Sequence, residues 1–206
     1  MKQKPPFNII LLGDPASGKA TQAKRLVKKY HLYNLDMGAE VKKPAATAQY
    51  DYAKTTALGK LTPTVVVRDI FKKVIIGTPA RHGILFNGTP KMINEAQLVA
   101  RCLKQAERTD PLVIYLSIPT SEIMRRAAKR RVYFQGKLVK RDDDNERALR
   151  NRKRYYEKQV SQVVRFFKER YDFKRISGVG TEGEVAKKIG AAVTQYERKY
   201  NMDHGA

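Results

Sequence analysis

Along this chain, short apolar runs alternate with longer stretches in which apolar residues recur every three or four positions. Unbroken runs of four to six fit buried strands, and the wider spacing fits one face of a helix. A strand is predicted at residues 7–12, a helix at 19–30 and a short strand at 33–36. Helical stretches follow at about 38–58 and 63–76, the second with Pro63 in its first turn, where no N–H is needed. Residues 83–87 read as a strand, 93–108 as a helix, and 112–116 (Leu-Val-Ile-Tyr-Leu) as a fully buried strand. Residues 119–131 are spaced as a helix, and 132–139 alternate as a small hairpin would. A charged helix at about 142–170 opens on three aspartates, which favour the positive end of a helix dipole. A strand at 173–177 and a helix at 182 to about 199 finish the pattern. Alternation with short connections predicts an α/β fold, a doubly wound parallel sheet with helices on both faces. Its ligand site should lie at the carboxyl ends of the strands.

Composition narrows the class. A length of 206 residues suits one α/β domain, and 42% hydrophobic content argues against disorder. No apolar stretch approaches the roughly 20 residues that span a bilayer, and the opening Met-Lys-Gln-Lys-Pro-Pro leaves no room for a leader. A cytoplasmic protein is expected. The single cysteine, Cys102, excludes an intrachain disulfide framework and a cysteine-rich zinc site. It falls in a predicted amphipathic helix, as a buried inert thiol would. The formal net charge is +22, and residues 101–170 alone hold 20 Lys or Arg against 9 Asp or Glu. Such a field attracts polyanions, although most of these side chains read as solvated helix faces.

The chemistry begins where the first strand ends. Residues 13–21 read Gly13-Asp14-Pro15-Ala16-Ser17-Gly18-Lys19-Ala20-Thr21. Gly13 and Gly18 let the backbone curl so that successive N–H groups point inward, Lys19 adds a mobile positive charge, and the following helix aims its dipole at the same spot. Strand, loop and helix in that order predict a site for a nucleoside triphosphate.

Four further segments accompany the loop. They are Gly-Lys-Leu-Thr-Pro (59–63), Gly-Ile-Leu-Phe-Asn-Gly-Thr-Pro-Lys (83–91), Arg126-Ala-Ala-Lys-Arg130-Arg131, and Arg141-Asp-Asp-Asp-Asn-Glu leading to Arg152. In this order the chain resembles the adenylate kinase family of nucleoside monophosphate kinases over about residues 7–195. The resemblance implies a P-loop core (1–36, 68–130 and 142–206), a small helical monophosphate-binding subdomain (37–67) and a short lid (131–141) without zinc. It implies ATP as phosphoryl donor, Mg²⁺ held mainly by nucleotide and water, and a monomer with no membrane partner. It assigns Lys19, Arg126, Arg130, Arg141 and Arg152 to catalysis, where the arginine fork suits phosphate oxygens. Donor binding falls to Gly13 through Thr21, Arg126 and the loop at Gly180. Acceptor binding falls to Met37, Gly38, Lys42, Lys60, Leu61, Thr62, Gly88, Lys91, Glu95, Arg141 and Arg152.

The chain departs from that pattern on the acceptor side. Lys42 and Lys91 replace arginines, Met37 replaces a hydroxyl residue, and Ala39 and Asn87 replace aspartates that help hold the water shell of Mg²⁺. Lower activity is expected. Glu95 stands where a glutamine reads adenine, and an ionised carboxylate only accepts hydrogen bonds, which leans toward GMP or CMP. AMP stays the default acceptor from whole-chain resemblance; Gln97 could replace Glu95 as adenine reader only through a register shift, because it lies about 200° around the helix. Two other readings remain. One is a non-catalytic nucleotide-binding relative whose basic surface docks RNA. The other is a kinase of the same class with a non-nucleotide acceptor.

Overall fold

The central strand β1 (Ile9–Gly13) is entirely buried and pairs in parallel on both sides. The computed structural model describes residues 7–44, 64–129, 132–134, 137–139 and 158–203. After β1 come α1 (Lys19–Tyr30), β2 (Tyr33–Leu35), α2 (Met37–Glu40), α3 (Thr64–Gly77) and β3 (Ile84–Asn87). They are followed by α4 (Ile93–Gln105), β4 (Leu112–Ser117), α5 (Thr120–Lys129) and the strands β5 (Val132–Phe134) and β6 (Lys137–Val139). Last come α6, whose described part is 158–168, then β7 (Phe173–Ser177) and α7 (Glu182–Asp203). The sheet runs β2-β3-β1-β4-β7 with every pairing parallel, while β5 and β6 form a separate antiparallel pair.

Alternation along the strands divides the core in two, because successive side chains leave opposite faces. Ile9 and Leu11 of β1 join Leu85, Leu112, Ile114 and Leu116 against α1 and α7. Ile10 and Leu12 join Leu35, Phe86 and Val113 against α3, α4 and α6. Both faces are therefore covered by helices, which is why the inner strands β1, β3 and β4 read as apolar runs, while the edge strands β2 and β7 carry polar residues. Buried polar groups on the way are paired: the Asn8 side chain donates to Thr109 O at 2.8 Å and accepts from Ile84 N at 3.1 Å. Arg108 reaches under the end of α3 and donates to the carbonyls of Ile75, Thr78 and His82. Cys102 is buried in the second core, and burial pushes its thiol pKa up, as an inert side chain requires.

The helix expected over 38–58 is interrupted. α2 ends at Glu40 with Val41 as its C-cap, and residues 41–43 leave the helix in a turn and bend. Proline disfavours a helical conformation in the residue before it, so Pro44 keeps Lys43 out of a continuous helix. Residues 45–58 of that expectation lie outside the described residues, as does 142–157 of the charged helix. α7 runs four residues past its expected end.

Candidate active site

β1 delivers its last residue to the carboxyl edge of the sheet beside the end of β4. At Gly13 a Cβ would lie 2.4 Å from Leu116 O, so only glycine lets the two strands close here. The chain then turns through Ala16 (φ 58°) and Gly18 (φ 90°), both left-handed, before α1 begins at Lys19. For alanine that conformation costs about 1 kcal/mol or more. No side chain caps α1, so its positive end is left for an anion.

Two cations converge on this loop. Lys19 Nζ donates to Gly13 O at 2.6 Å, Asp14 O at 2.7 Å and Ser17 Oγ at 3.4 Å. Arg126, from the far side of α5, donates to Ala16 O at 3.5 Å and to Gly178 O at 2.9 Å. Glu122, one turn earlier on α5, holds the Arg126 Nε at 2.5 Å. The Arg125 and Arg126 guanidiniums draw the Glu122 carboxyl pKa down to about 2, Arg125 contributing most.

The other predicted donor contact, Gly180, is exposed with φ 117° and stands two residues before α7 begins at Glu182. Thr181 and Glu184 cap that helix reciprocally: Thr181 N donates to Glu184 Oε2 at 2.7 Å, and Glu184 N donates to Thr181 Oγ1 at 3.2 Å. The bond from Thr181 N lowers the Glu184 pKa.

On the acceptor side the residues are more dispersed. Asp36 caps α2 by accepting from Gly38 N at 2.9 Å and Ala39 N at 3.4 Å, so Gly38 and Ala39 are fixed by their backbone. Met37 packs against the core cluster under α3. Lys42 and Lys91 are exposed. Gly88 (φ 67°) donates to Leu11 O at 2.9 Å, which brings β3's exit against β1, and a Cβ there would lie 3.8 Å from Lys19 Cε. Glu95 is turned onto its own helix start, where Oε2 accepts from Lys91 N at 2.8 Å and Met92 N at 3.3 Å. Lys60, Leu61, Thr62, Arg130, Arg141 and Arg152 lie outside the described residues.

Glu122 was not singled out by sequence, whereas Gly178 lies in the loop that the resemblance assigned to donor contacts. Glu122 nonetheless carried a signal, standing four residues before Arg126 on a predicted helix, a spacing at which a carboxylate and a guanidinium meet.

A parallel sheet in this order, with a glycine-rich loop leaving its central strand and two cations drawn onto that loop, defines a phosphate-binding α/β protein of the P-loop class. The family model described as adenylate kinase matches residues 11–172. The chain is 30% identical over 195 residues to an adenylate kinase of Bacteroides thetaiotaomicron, covering 91% of this chain and 98% of that relative. Identity is 30% with the same coverage to one of Bacteroides fragilis, and 27% over 199 residues to one of Porphyromonas gingivalis, covering 95% and 100%. The chain belongs to the adenylate kinase family. It is a phosphotransferase of the nucleoside monophosphate kinase class, acting on nucleotide substrates. Among the described residues no helix is long and apolar enough to cross a membrane.

Proposed function

We propose that the chain transfers the γ-phosphoryl group of ATP to AMP, giving two ADP. The observation that carries this reading is the convergence of Lys19 and Arg126 on the carbonyls of one loop. These carbonyls hold the cations where donor phosphates would take them over. An acceptor phosphate oxygen attacks the γ-phosphorus in line as the bond to the β-phosphate oxygen breaks, and the electron pair leaves with ADP. Little covalent help is needed; positive charge around the moving group and exclusion of water supply the catalysis. Backbone N–H groups of 13–19 cradle the donor, and Lys19 bridges its outer phosphates. Arg130, Arg141 and Arg152 complete the clamp as the segment 131–141 closes over residues 37–67.

Magnesium enters as part of the Mg·ATP substrate. Among the described residues no three His, Cys, Asp or Glu are grouped to hold a metal ion. Thr21 in the first turn of α1 and Asn87 at the end of β3 offer neutral oxygens, which suits an ion whose charge is met by phosphates and water. AMP is favoured over GMP and CMP because the relatives are adenylate kinases. In addition, one oxygen of Glu95, Oε2, already accepts from Lys91 N and Met92 N at the start of α4, which weighs against that side chain as a base reader.

The test is to incubate the protein with Mg·ATP and each of AMP, GMP, CMP, UMP and dAMP, following diphosphate formation beside Lys19→Ala. Fastest turnover with AMP is expected. Turnover no higher than that of Lys19→Ala, with ATP still bound, would refute the transfer reading and turn attention to the basic surface and RNA.

A further inference from the structure

Asp14 is the one acidic residue of the 13–21 loop, where a negative charge opposes the binding of polyphosphate. Both of its carboxylate oxygens are engaged by the neighbouring strand and its exit. Oδ1 accepts from Tyr115 Oη at 2.6 Å and Oδ2 from Ile118 N at 2.8 Å, while the Asp14 backbone N donates to Leu116 O at 2.9 Å. The Tyr115 ring is in turn held from β7, where the Arg175 guanidinium lies 4.8 Å from its centroid. Ile118 stands two residues before α5, the helix that carries Arg126 back to the loop at Ala16 O. The loop is thus tied to the β4–α5 unit twice, at its entry by Asp14 and near its middle by Arg126.

We propose that Asp14 is a positioning residue for the phosphoryl donor. Its carboxylate sets the plane of the loop's first turn, so the N–H groups beyond it converge on the donor phosphates, and it keeps the loop in register with Arg126. Charge-assisted bonds are short and directional, and the Asp14 bonds have that geometry. Small displacements of such a cradle are costly in affinity and rate. The inference rests on the phosphoryl-transfer reading for the identity of the ligand, ATP.

The experiment measures ATP binding directly by calorimetry, together with KM for each nucleotide and thermal midpoints, in Asp14→Ala, Asp14→Asn and Tyr115→Phe. Asp14→Ala should weaken ATP binding about tenfold or more and leave KM for AMP nearly unchanged. Asp14→Asn should recover most of the loss, since its amide oxygen still accepts from Ile118 N and its NH₂ can donate to the tyrosine oxygen. Tyr115→Phe, which keeps the Ile118 bond, should fall between them. Wild-type ATP affinity in Asp14→Ala overturns the proposal. So does an equal loss for both nucleotides accompanied by a lowered midpoint, or an asparagine variant no better than alanine. If the wild type binds ATP but transfers nothing to AMP, the functional reading fails while the binding comparison still decides the role of Asp14.

Discussion

Arg126 Nε and Glu122 Oε1 lie 2.5 Å apart, one helical turn from each other on α5. The same carboxylate accepts from Arg125 through both oxygens at 2.7 Å. Glu122 therefore decides where Arg126 points, and it turns that side chain toward the loop rather than into solvent. Because hydrogen bonds from the two arginines place the folded carboxyl pKa at about 2, below the ordinary 4.5, the bridge stabilises the fold fully above pH 4.5. That stabilisation is lost as pH falls toward 2. The difference in thermal midpoint between wild type and Glu122→Gln should thus be largest near neutrality and shrink through pH 4.5 to 2. A difference independent of pH would show that the pair contributes nothing through charge.

Lys19→Ala should leave the thermal midpoint within a few degrees, since the side chain is partly exposed and its bonds to Gly13 O and Asp14 O lie within its own loop. The rate constant for phosphoryl transfer should fall by about a thousandfold or more, as expected when a preorganised charge at the transferring group is removed. A fall of less than tenfold would place the donor phosphates elsewhere.

Ala16→Gly should stabilise the protein. The left-handed φ of 58° costs alanine about 1 kcal/mol or more. Glycine relieves it but gives part back through a freer unfolded chain. For a chain of this size the net rise in midpoint is about 2 °C. A lowered midpoint in calorimetry would mean that the alanine methyl makes contacts worth more than the strain.

Glu95 is expected to matter for the helix and not for the base. Glu95→Gln keeps an acceptor oxygen for Lys91 N and Met92 N and should change neither midpoint nor order of preference among AMP, GMP and CMP. Glu95→Ala removes the cap, costing about 1 kcal/mol, or about 3 °C in midpoint. A switch of preferred acceptor in the glutamine variant would make Glu95 a base reader after all.

Much of this was legible in the residues. The inner strands β1, β3 and β4 read as apolar runs because both faces are buried, and the phosphate loop was readable because strand, turn and helix are contiguous. Local chemistry misled at one place: the helical spacing after Gly38 hid a break at residues 41–43, just ahead of Pro44.

The sequence by itself determined the α/β order, the loop and the cations that suit phosphate, because each depends on residues near one another along the chain; the class of reaction followed from the family resemblance that spans almost the whole chain. Only the tertiary structure decided what Asp14 does, since its partner Tyr115 is 101 residues away on a strand whose unbroken apolar run gave no hint of a polar contact. It likewise decided that Arg126 meets Ala16 across 110 residues. Parallel strands place their carboxyl ends side by side whatever the chain length between them, and that juxtaposition, absent from any local pattern, turns a loop and a helix into one site.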